Sequence, residues 1–316
     1  MLSLGVDIGG TKIETLVLNE QGEEIHRKRY ETEKSSLASF TDRIMDIIRD
    51  TQDSVKEKFS IGICIPGASE ASTGFIKNSN ILVLNNQPFS EILEKCCGQP
   101  IALSNDANCF TLSEAIDGAG QGYSVVFGLT LGTGCGGGIV INQKVHSGQN
   151  SCAGEWGHNS LPRYSPEKDG GEIMCYCGQK NCIETFISGT GLATRFNERF
   201  QTKLTAPQIF AAYDRKEESA CRHVDLFLDQ LARSLSDVVN ILDPDIFVIG
   251  GGLSSLPLLY DNLQERIGAY VFGKSFTTPV IAARHGGSSG VRGAAWLGRN
   301  QYAQSKLSGE KAFSRI

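Results

Sequence analysis

An α/β fold in two domains, or in one large one, is predicted by three observations. Apolar strand-like runs alternate with amphipathic helical stretches, a strand–glycine turn–strand outline occurs twice, and 316 residues exceed what one minimal core needs. The first outline runs from Leu4–Val6 through a turn at Asp7–Lys12 to Thr15–Leu18, and Gly22 marks a second turn. Residues 37–59 read as a helix, with Phe40, Ile44, Ile47 and Ile48 at helical spacing. Ile61–Ile65 reads as a buried strand stopped by Pro66-Gly67. Residues 100–103 form another short strand, running through Asn105-Asp106 into a helix over Ala107–Ile116. Gly118, Gly120 and Gly122 punctuate a domain boundary.

The second outline joins Val125–Leu131 to Ile139–Ile141 through a glycine-rich stretch. Residues 222–242 predict a strong helix, with Val224, Phe227, Leu228, Leu231, Leu235 and Val238 on one face and Pro244 beyond its end. Ile246–Ile249 reads as a strand entering Gly250-Gly251-Gly252. A last helix starts near Ser289, and the polar tail from Gln301 is expected to be loose.

Composition excludes several classes. Apolar residues make up 40% and charged residues 21%, as in ordinary soluble proteins. A net charge of −5, from 30 basic and 35 acidic residues, leaves no footprint for nucleic acid. No apolar run is long enough to span a bilayer, and MLSLGVDIGG lacks the charged start of a signal peptide. A cytoplasmic protein without membrane partners is expected. Its ten cysteines then read as thiols or metal ligands, not as a disulfide framework. The 36 glycines cluster in short runs, as tight turns or close backbone approach to a ligand require.

Four groups of residues carry candidate chemistry. In Asp7-Ile8-Gly9-Gly10-Thr11-Lys12, backbone N–H groups can approach phosphate oxygens, Thr11 adds a hydroxyl, and Asp7 could hold hydrated Mg²⁺. A plain hairpin turn is the competing reading. Gly132-Thr133-Gly134-Cys135-Gly136-Gly137-Gly138 fits a second phosphate loop or a β-bulge. Two such turns a domain apart suit a clamp on one triphosphate. Asp106, between a strand and a helix, suits the carboxylate that accepts a hydroxyl proton in phosphoryl transfer; a simple helix cap fits the spacing at least as well.

His158, followed after sixteen residues by Cys175, Cys177 and Cys182, makes a closed set of four ligands for a structural Zn²⁺. Neighbouring cysteines two apart are awkward disulfide partners. The other seven cysteines lack ligand spacing and are expected to be mostly buried. Glu155 and Glu184 flank the set; they are ordinary surface glutamates or, if a metal knots the segment, sugar-hydroxyl acceptors.

Taken in order, Asp7–Lys12, Pro66-Gly67, Asn105–Cys109, Gly132–Gly134, Gly154–His158, the cysteine set, Gly250–Gly252 and Gly293–Ala295 resemble the ROK family (repressors, open reading frames, kinases) along nearly the whole chain. The resemblance implies an actin-like (ribonuclease H-like) two-lobed sugar kinase fold with an inserted zinc-binding loop. Residues 1–119, completed by a C-terminal helix at 289–300, would form one lobe. Residues 120–288, with the zinc loop at 155–184, would form the other. It implies ATP contacts at Asp7, Gly9, Gly10, Thr11, Lys12, Gly132, Thr133, Gly134, Gly136, Gly137, Gly138, Gly250, Gly251 and Gly252. It makes Asp106 the catalytic base and Asn80, Asn105, Asp106, Glu155, His158 and Glu184 the sugar contacts. ATP, Mg²⁺ and structural Zn²⁺ are the implied cofactors, and a homodimer the implied assembly.

Within the family, Thr73–Asn80, Leu84–Phe89 and Cys175–Gly191 look most like bacterial fructokinases of the manno(fructo)kinase type. That subgroup implies transfer to the 6-hydroxyl of fructose, with mannose or glucose also used. Asn86, where that type has glycine, suggests a turn tolerating positive φ. The neighbouring alternative is an N-acetyl-D-glucosamine kinase. A sugar-sensing regulator is disfavoured, because the first phosphate loop at residue 7 leaves no room before it for a DNA-binding domain.

Overall fold

The computed structural model describes residues 1–70 and 73–313, with side chains through residue 306. The chain divides into two compact units. Unit 1 comprises 1–122, 143–153 and the C-terminal segment from 287; unit 2 comprises 123–142 and 154–286. Strands and helices alternate in both, and no helix among the described residues is long and apolar enough to cross a membrane.

In unit 1, β1 (Leu2–Ile8), β2 (Lys12–Leu18) and β3 (Glu24–Glu31) form an antiparallel meander. Helix α1 (Leu37–Val55) then returns the chain to β4 (Phe59–Ile65), parallel to β1. Helix α2 (Phe89–Cys97) leads to β5 (Ile101–Asn105), parallel to β4, and α3 (Asp106–Asp117) follows at once. The sheet order is β3-β2-β1-β4-β5.

Helix α1 starts where Ser36 and Ser39 cap each other's backbone, and it buries Phe40, Ile44, Ile47 and Ile48. Each such side chain contributes about 1.5–3 kcal/mol by leaving water. The helix ends four residues earlier than the sequence reading, at Val55. Lys56 turns left-handed at φ 58, its N–H returning to the Gln52 carbonyl, so Phe59 is free to open β4.

Unit 2 repeats the winding. Its strands β6 (Val125–Leu131), β7 (Cys135–Ile141), β8 (Ile246–Gly250) and β9 (Val280–Ala282) pair in the order β7-β6-β8-β9. The β6–β7 pair is antiparallel and the other two are parallel. Between β7 and β8 lie the cysteine loop and α4 (Glu184–Ile187), α5 (Gly189–Phe200), α6 (Ala206–Asp214) and α7 (Glu218–Leu242). Helix α7 buries Val224, Phe227, Leu228, Leu231 and Leu235; Val238 is only partly buried, and Val239 takes the inner position.

The C-terminal helix, Ser289–Phe313, packs within unit 1. It continues well past Gln301, where a loose tail was expected. The stretch 301–306 contains neither Gly nor Pro to stop it; residues 314–316 of that tail lie outside the described residues. Its seam with the sheet is built from glycine. A Cβ on Gly5 would lie 2.0 Å from the Val291 carbonyl oxygen, and one on Gly62 1.9 Å from that of Ala294. On the helix itself, a Cβ on Gly293 would lie 1.7 Å from the Cys109 carbonyl oxygen. Polar ties flank the seam: Arg292 binds Asp117 and the Gly22 carbonyl, and Arg299 binds the Ser3 hydroxyl and the Asn19 carbonyl. Gly62→Val is therefore expected to prevent this packing, costing at least about 3 kcal/mol. A denaturation midpoint equal to wild type would refute the seam.

Candidate functional site

The parallel strands of unit 1 set its chemistry on one edge. Asp7 pairs in register with Cys64, and Ile65 with Asn105, so Asp7 and the Asn105-Asp106 step sit at strand carboxyl ends. Ligands of open α/β sheets bind at that edge. Asn105 is the residue that caps α3: its Oδ1 accepts the Asn108 N–H at 2.8 Å. Asp106 occupies the first helical position instead. Its carboxylate accepts the adjacent Ala107 N–H, at 2.9 Å, and its own backbone N–H, and the residue is exposed. Desolvation by the surrounding protein raises its pKa above 3.8, against the pull of those two N–H groups.

Asp7 is pushed up to about 6 by burial and by the like charges of Asp106 and Glu14; a hydrogen bond from the Cys64 thiol opposes this. The first turn of the C-terminal helix abuts the carboxylate, and a Cβ on Gly290 would lie 2.8 Å from Oδ2. The adjoining turn is tight, Gly9 N–H donating to the Lys12 carbonyl at 2.9 Å. Gly10 faces open space, and Lys34 Nζ donates to its carbonyl at 2.8 Å. Thr11 and Lys12 are exposed. Asn80 is exposed in a loop clamped by Asn85, whose Oδ1 and Nδ2 take the Ser79 N–H and carbonyl at 2.9 Å each. Asn86 has φ 61, the left-handed conformation its sequence context suggested.

In unit 2 the glycine-rich stretch has two parts. Gly132–Gly134 make the turn, closed by the Gly132 N–H on the Gly134 carbonyl at 3.0 Å. Gly136–Gly138 lie within β7, where their bareness accommodates Trp156. A Cβ on Gly137 would fall 2.5 Å from the indole, whose Nε1 donates to the Gly136 carbonyl at 3.1 Å. Glu184, at the start of α4, accepts the Cys135 N–H on Oε2 at 2.9 Å, which ties it to the turn. The Gly250–Gly252 turn lies at the same sheet edge; Gly251 takes φ 83, pressed against the Leu131 backbone.

His158, Cys175, Cys177 and Cys182 converge, with one donor atom from each inside 4.8 Å of all the others. The Cys177 and Cys182 sulfurs are 3.5 Å apart, and His158 Nδ1 is 3.7 Å from the Cys175 sulfur. A zinc tetrahedron with its usual bond lengths has edges of roughly 3.5–3.8 Å, so the set fits. His158 Nε2, the other ring nitrogen, meets the Tyr176 hydroxyl at 3.0 Å. Tyr176 was absent from the expected site residues. It is 83% exposed, and after burial the charges of Glu184 and Glu155 contribute to pushing its pKa to about 12. Both flanking glutamates therefore bear on this one hydroxyl. Its position between two cysteine ligands was the available signal. All ten cysteines are free thiols. Outside the cluster only Cys64, Cys109 and Cys135 are buried, fewer than expected, because Cys96 lies on the exposed side of α2 and Cys152 in a loop.

A family model described as the ROK family matches residues 3–301. The chain belongs to the ROK family. Among its ROK relatives, the N-acetyl-D-glucosamine kinase of Histophilus somni (strain 129Pt) is 38% identical, covering 93% of this chain and 97% of that protein. The enzyme of the same name from Haemophilus influenzae (strain 86-028NP) is 37% identical, with 93% and 98% covered. The crystal structure of a ROK hexokinase from Thermus thermophilus superimposes with TM-score 0.85 at 28% identity, covering 96% of this chain and all of that one. A ROK glucokinase from Streptomyces griseus, solved with glucose and AMPPNP, gives TM-score 0.73 at 27% identity, with 95% and 100% covered. The actin-like two-lobed ROK sugar kinase fold follows from these neighbours.

The fructokinase expectation is corrected by the same comparison, since relatives matching over 93% of the chain are N-acetyl-D-glucosamine kinases. The cause is physical. The subgroup expectation rests on the segments Thr73–Asn80, Leu84–Phe89 and Cys175–Gly191, and residue types in those loops do not by themselves measure the substituent that distinguishes one hexose from another.

Proposed function

We propose that this chain is an ATP-dependent N-acetyl-D-glucosamine kinase. The observation that carries the reading is the 37–38% identity to kinases of that name across 93% of the chain. The proposed reaction transfers the γ-phosphoryl group to the sugar's 6-hydroxyl. The hydroxyl oxygen forms a bond to phosphorus, the bond from phosphorus to the β-bridging oxygen breaks, and ADP leaves.

Asp106 is assigned as the base that takes the hydroxyl proton; its raised pKa and its freedom from helix capping support that role. Asn105 keeps its Nδ2 for a sugar hydroxyl while Oδ1 caps the helix. Asn80, Glu155, Glu184 and the His158 edge are assigned to sugar recognition. The turns at Gly9–Lys12, Gly132–Gly138 and Gly250–Gly252 are assigned to the nucleotide. Asp7 would hold Mg²⁺, which supplies charge neutralisation on the transferring phosphates.

Comparing kcat/KM for N-acetylglucosamine, glucose, mannose and fructose at saturating MgATP tests the substrate. At least a tenfold preference for the acetamido sugar is expected, about 1.4 kcal/mol in transition-state binding. Equal or better use of a sugar without that group would overturn it.

Zinc is the metal we assign to the four-ligand set, because all four positions are filled by thiolate and imidazole. Purified protein is expected to carry about one zinc per chain. Cys177→Ser would lose it, lower the melting temperature and raise the sugar KM, leaving the ATP KM little changed. Zinc-free protein prepared without chelator would count against the assignment.

A further inference from the structure

In the turn between β1 and β2, every carbonyl oxygen from Gly9 to Lys12 is taken by a donor of unit 1 itself. The Gly9 carbonyl accepts the Thr32 hydroxyl at 2.8 Å, and the Gly10 carbonyl accepts the Lys34 ammonium at 2.8 Å. The Thr11 carbonyl accepts the Thr32 N–H at 3.2 Å, and the Lys12 carbonyl accepts the Gly9 N–H at 2.9 Å. The N–H groups of Gly10 and Thr11, by contrast, have no partner among the described residues. Both residues reach the surface: Thr11 is exposed, and a Cβ on Gly10 would meet nothing within 4 Å.

A peptide unit is planar and trans, so its C=O and N–H point in opposite directions. The Gly9 carbonyl shares a unit with the Gly10 N–H, and the Gly10 carbonyl shares one with the Thr11 N–H. Thr32 and Lys34, both from the segment after β3, therefore fix the orientation of two successive units and the direction of both free N–H groups. Paired glycines would not hold that orientation unaided, because glycine adopts either sign of φ at little cost. A flipped unit would turn a carbonyl oxygen toward an incoming phosphate and repel it. A donor on the carbonyl oxygen also polarises the unit and strengthens the N–H at its other end. Of the carboxylates around the turn, Glu33 accepts the Ser35 N–H at 2.8 Å, and Glu14 pairs with Arg27 and Arg29.

We propose that Thr32 and Lys34 are positioning residues for phosphate binding: by holding the carbonyls of Gly9 and Gly10, they keep the N–H groups of Gly10 and Thr11 available as donors to the phosphate chain of the nucleotide. They act through the turn and need not touch the nucleotide themselves. The inference deepens the functional reading above and rests on its assignment of this turn to ATP.

The test is calorimetric titration of the full chain with AMPPNP and Mg²⁺, without sugar. Thr32→Val removes the hydroxyl but keeps the side-chain shape and the backbone N–H. Lys34→Met removes the ammonium but keeps most of the stem. Each is expected to weaken AMPPNP binding at least about fivefold. Thr32→Ser and Lys34→Arg restore a donor and should recover most of the loss. A general electrostatic effect would spare the uncharged Thr32→Val, which the proposed one does not. Melting temperatures should stay close to wild type, because neither side chain belongs to the buried core. In turnover, the loss should appear in the ATP KM and leave the N-acetylglucosamine KM little changed. Wild-type affinity in either Thr32→Val or Lys34→Met, or a loss that serine and arginine do not recover, would overturn the inference while leaving the nucleotide assignment intact. Failure of the wild-type chain to bind AMPPNP would overturn that assignment, and the inference with it.

Discussion

Replacing Asp106 by Asn is expected to lower kcat by about 10²–10⁴-fold with ATP affinity nearly unchanged. The substituted amide keeps the size of the side chain and an oxygen for the Ala107 N–H, but it cannot accept a proton from the sugar. A loss of that order could also follow from a broken helix start, and the local structure separates the two causes. The cap of α3 is Asn105, through the Asn108 N–H, so the helix start does not depend on the Asp106 carboxylate. The melting temperature of Asp106→Asn is thus expected to stay close to wild type while turnover collapses. Near wild-type kcat would remove Asp106 from the mechanism, and a collapse in stability would reassign it to the fold.

Asp7→Asn is expected to separate stability from activity in the opposite sense. The native carboxyl titrates at about 6 instead of 3.8 because burial disfavours its charge, followed by repulsion from Asp106 and Glu14. Between those two values the native protein holds a proton that the unfolded chain has released. Stability therefore falls as pH rises through that window, and the full cost, about 3 kcal/mol, is present above pH 6. In ligand-free protein, Asp7→Asn removes that cost. A melting temperature a few degrees above wild type is expected at pH 7.5, with little difference at pH 4. Catalysis should suffer severely, since the assigned Mg²⁺ carboxylate is gone and metal charge neutralisation is worth several kcal/mol in such reactions. A variant less stable than wild type at pH 7.5 would show that the buried charge is already compensated, and near-normal turnover would free Asp7 from its assigned role.

Much of the frame was legible because short-range chemistry dictates it. The two glycine hairpins, the strand into Asn105-Asp106 and the four metal-type ligands announce themselves by residue type and spacing, and the folded chain brings the ligands together. The strand Glu24–Glu31 was not read, because it is charged and largely exposed, an edge without an apolar pattern. The tail was misread from its polarity, although helix propensity needs no apolar face. Within the site, the contact of Tyr176 with His158 depends on tertiary packing that no local spacing encodes. Asp106 and Asn105 show the finer limit. Both are good capping residues, and only the observed hydrogen bond decides which one caps and which is left free.

The glycine seam has a consequence for biosynthesis. Strands β1 and β4 emerge from the ribosome early, yet the helix that covers them through Gly5 and Gly62 begins only at Ser289. Unit 2 is encoded by 123–142 and 154–286, so its sheet and helices can assemble while unit 1 still awaits its last element. The N-terminal sheet must remain partly uncovered for most of translation, a period in which apolar surface invites aggregation or a chaperone. Contacts spanning nearly the whole sequence also carry a large loop-closure cost, so completion of unit 1 is expected to be the slow, late event in refolding.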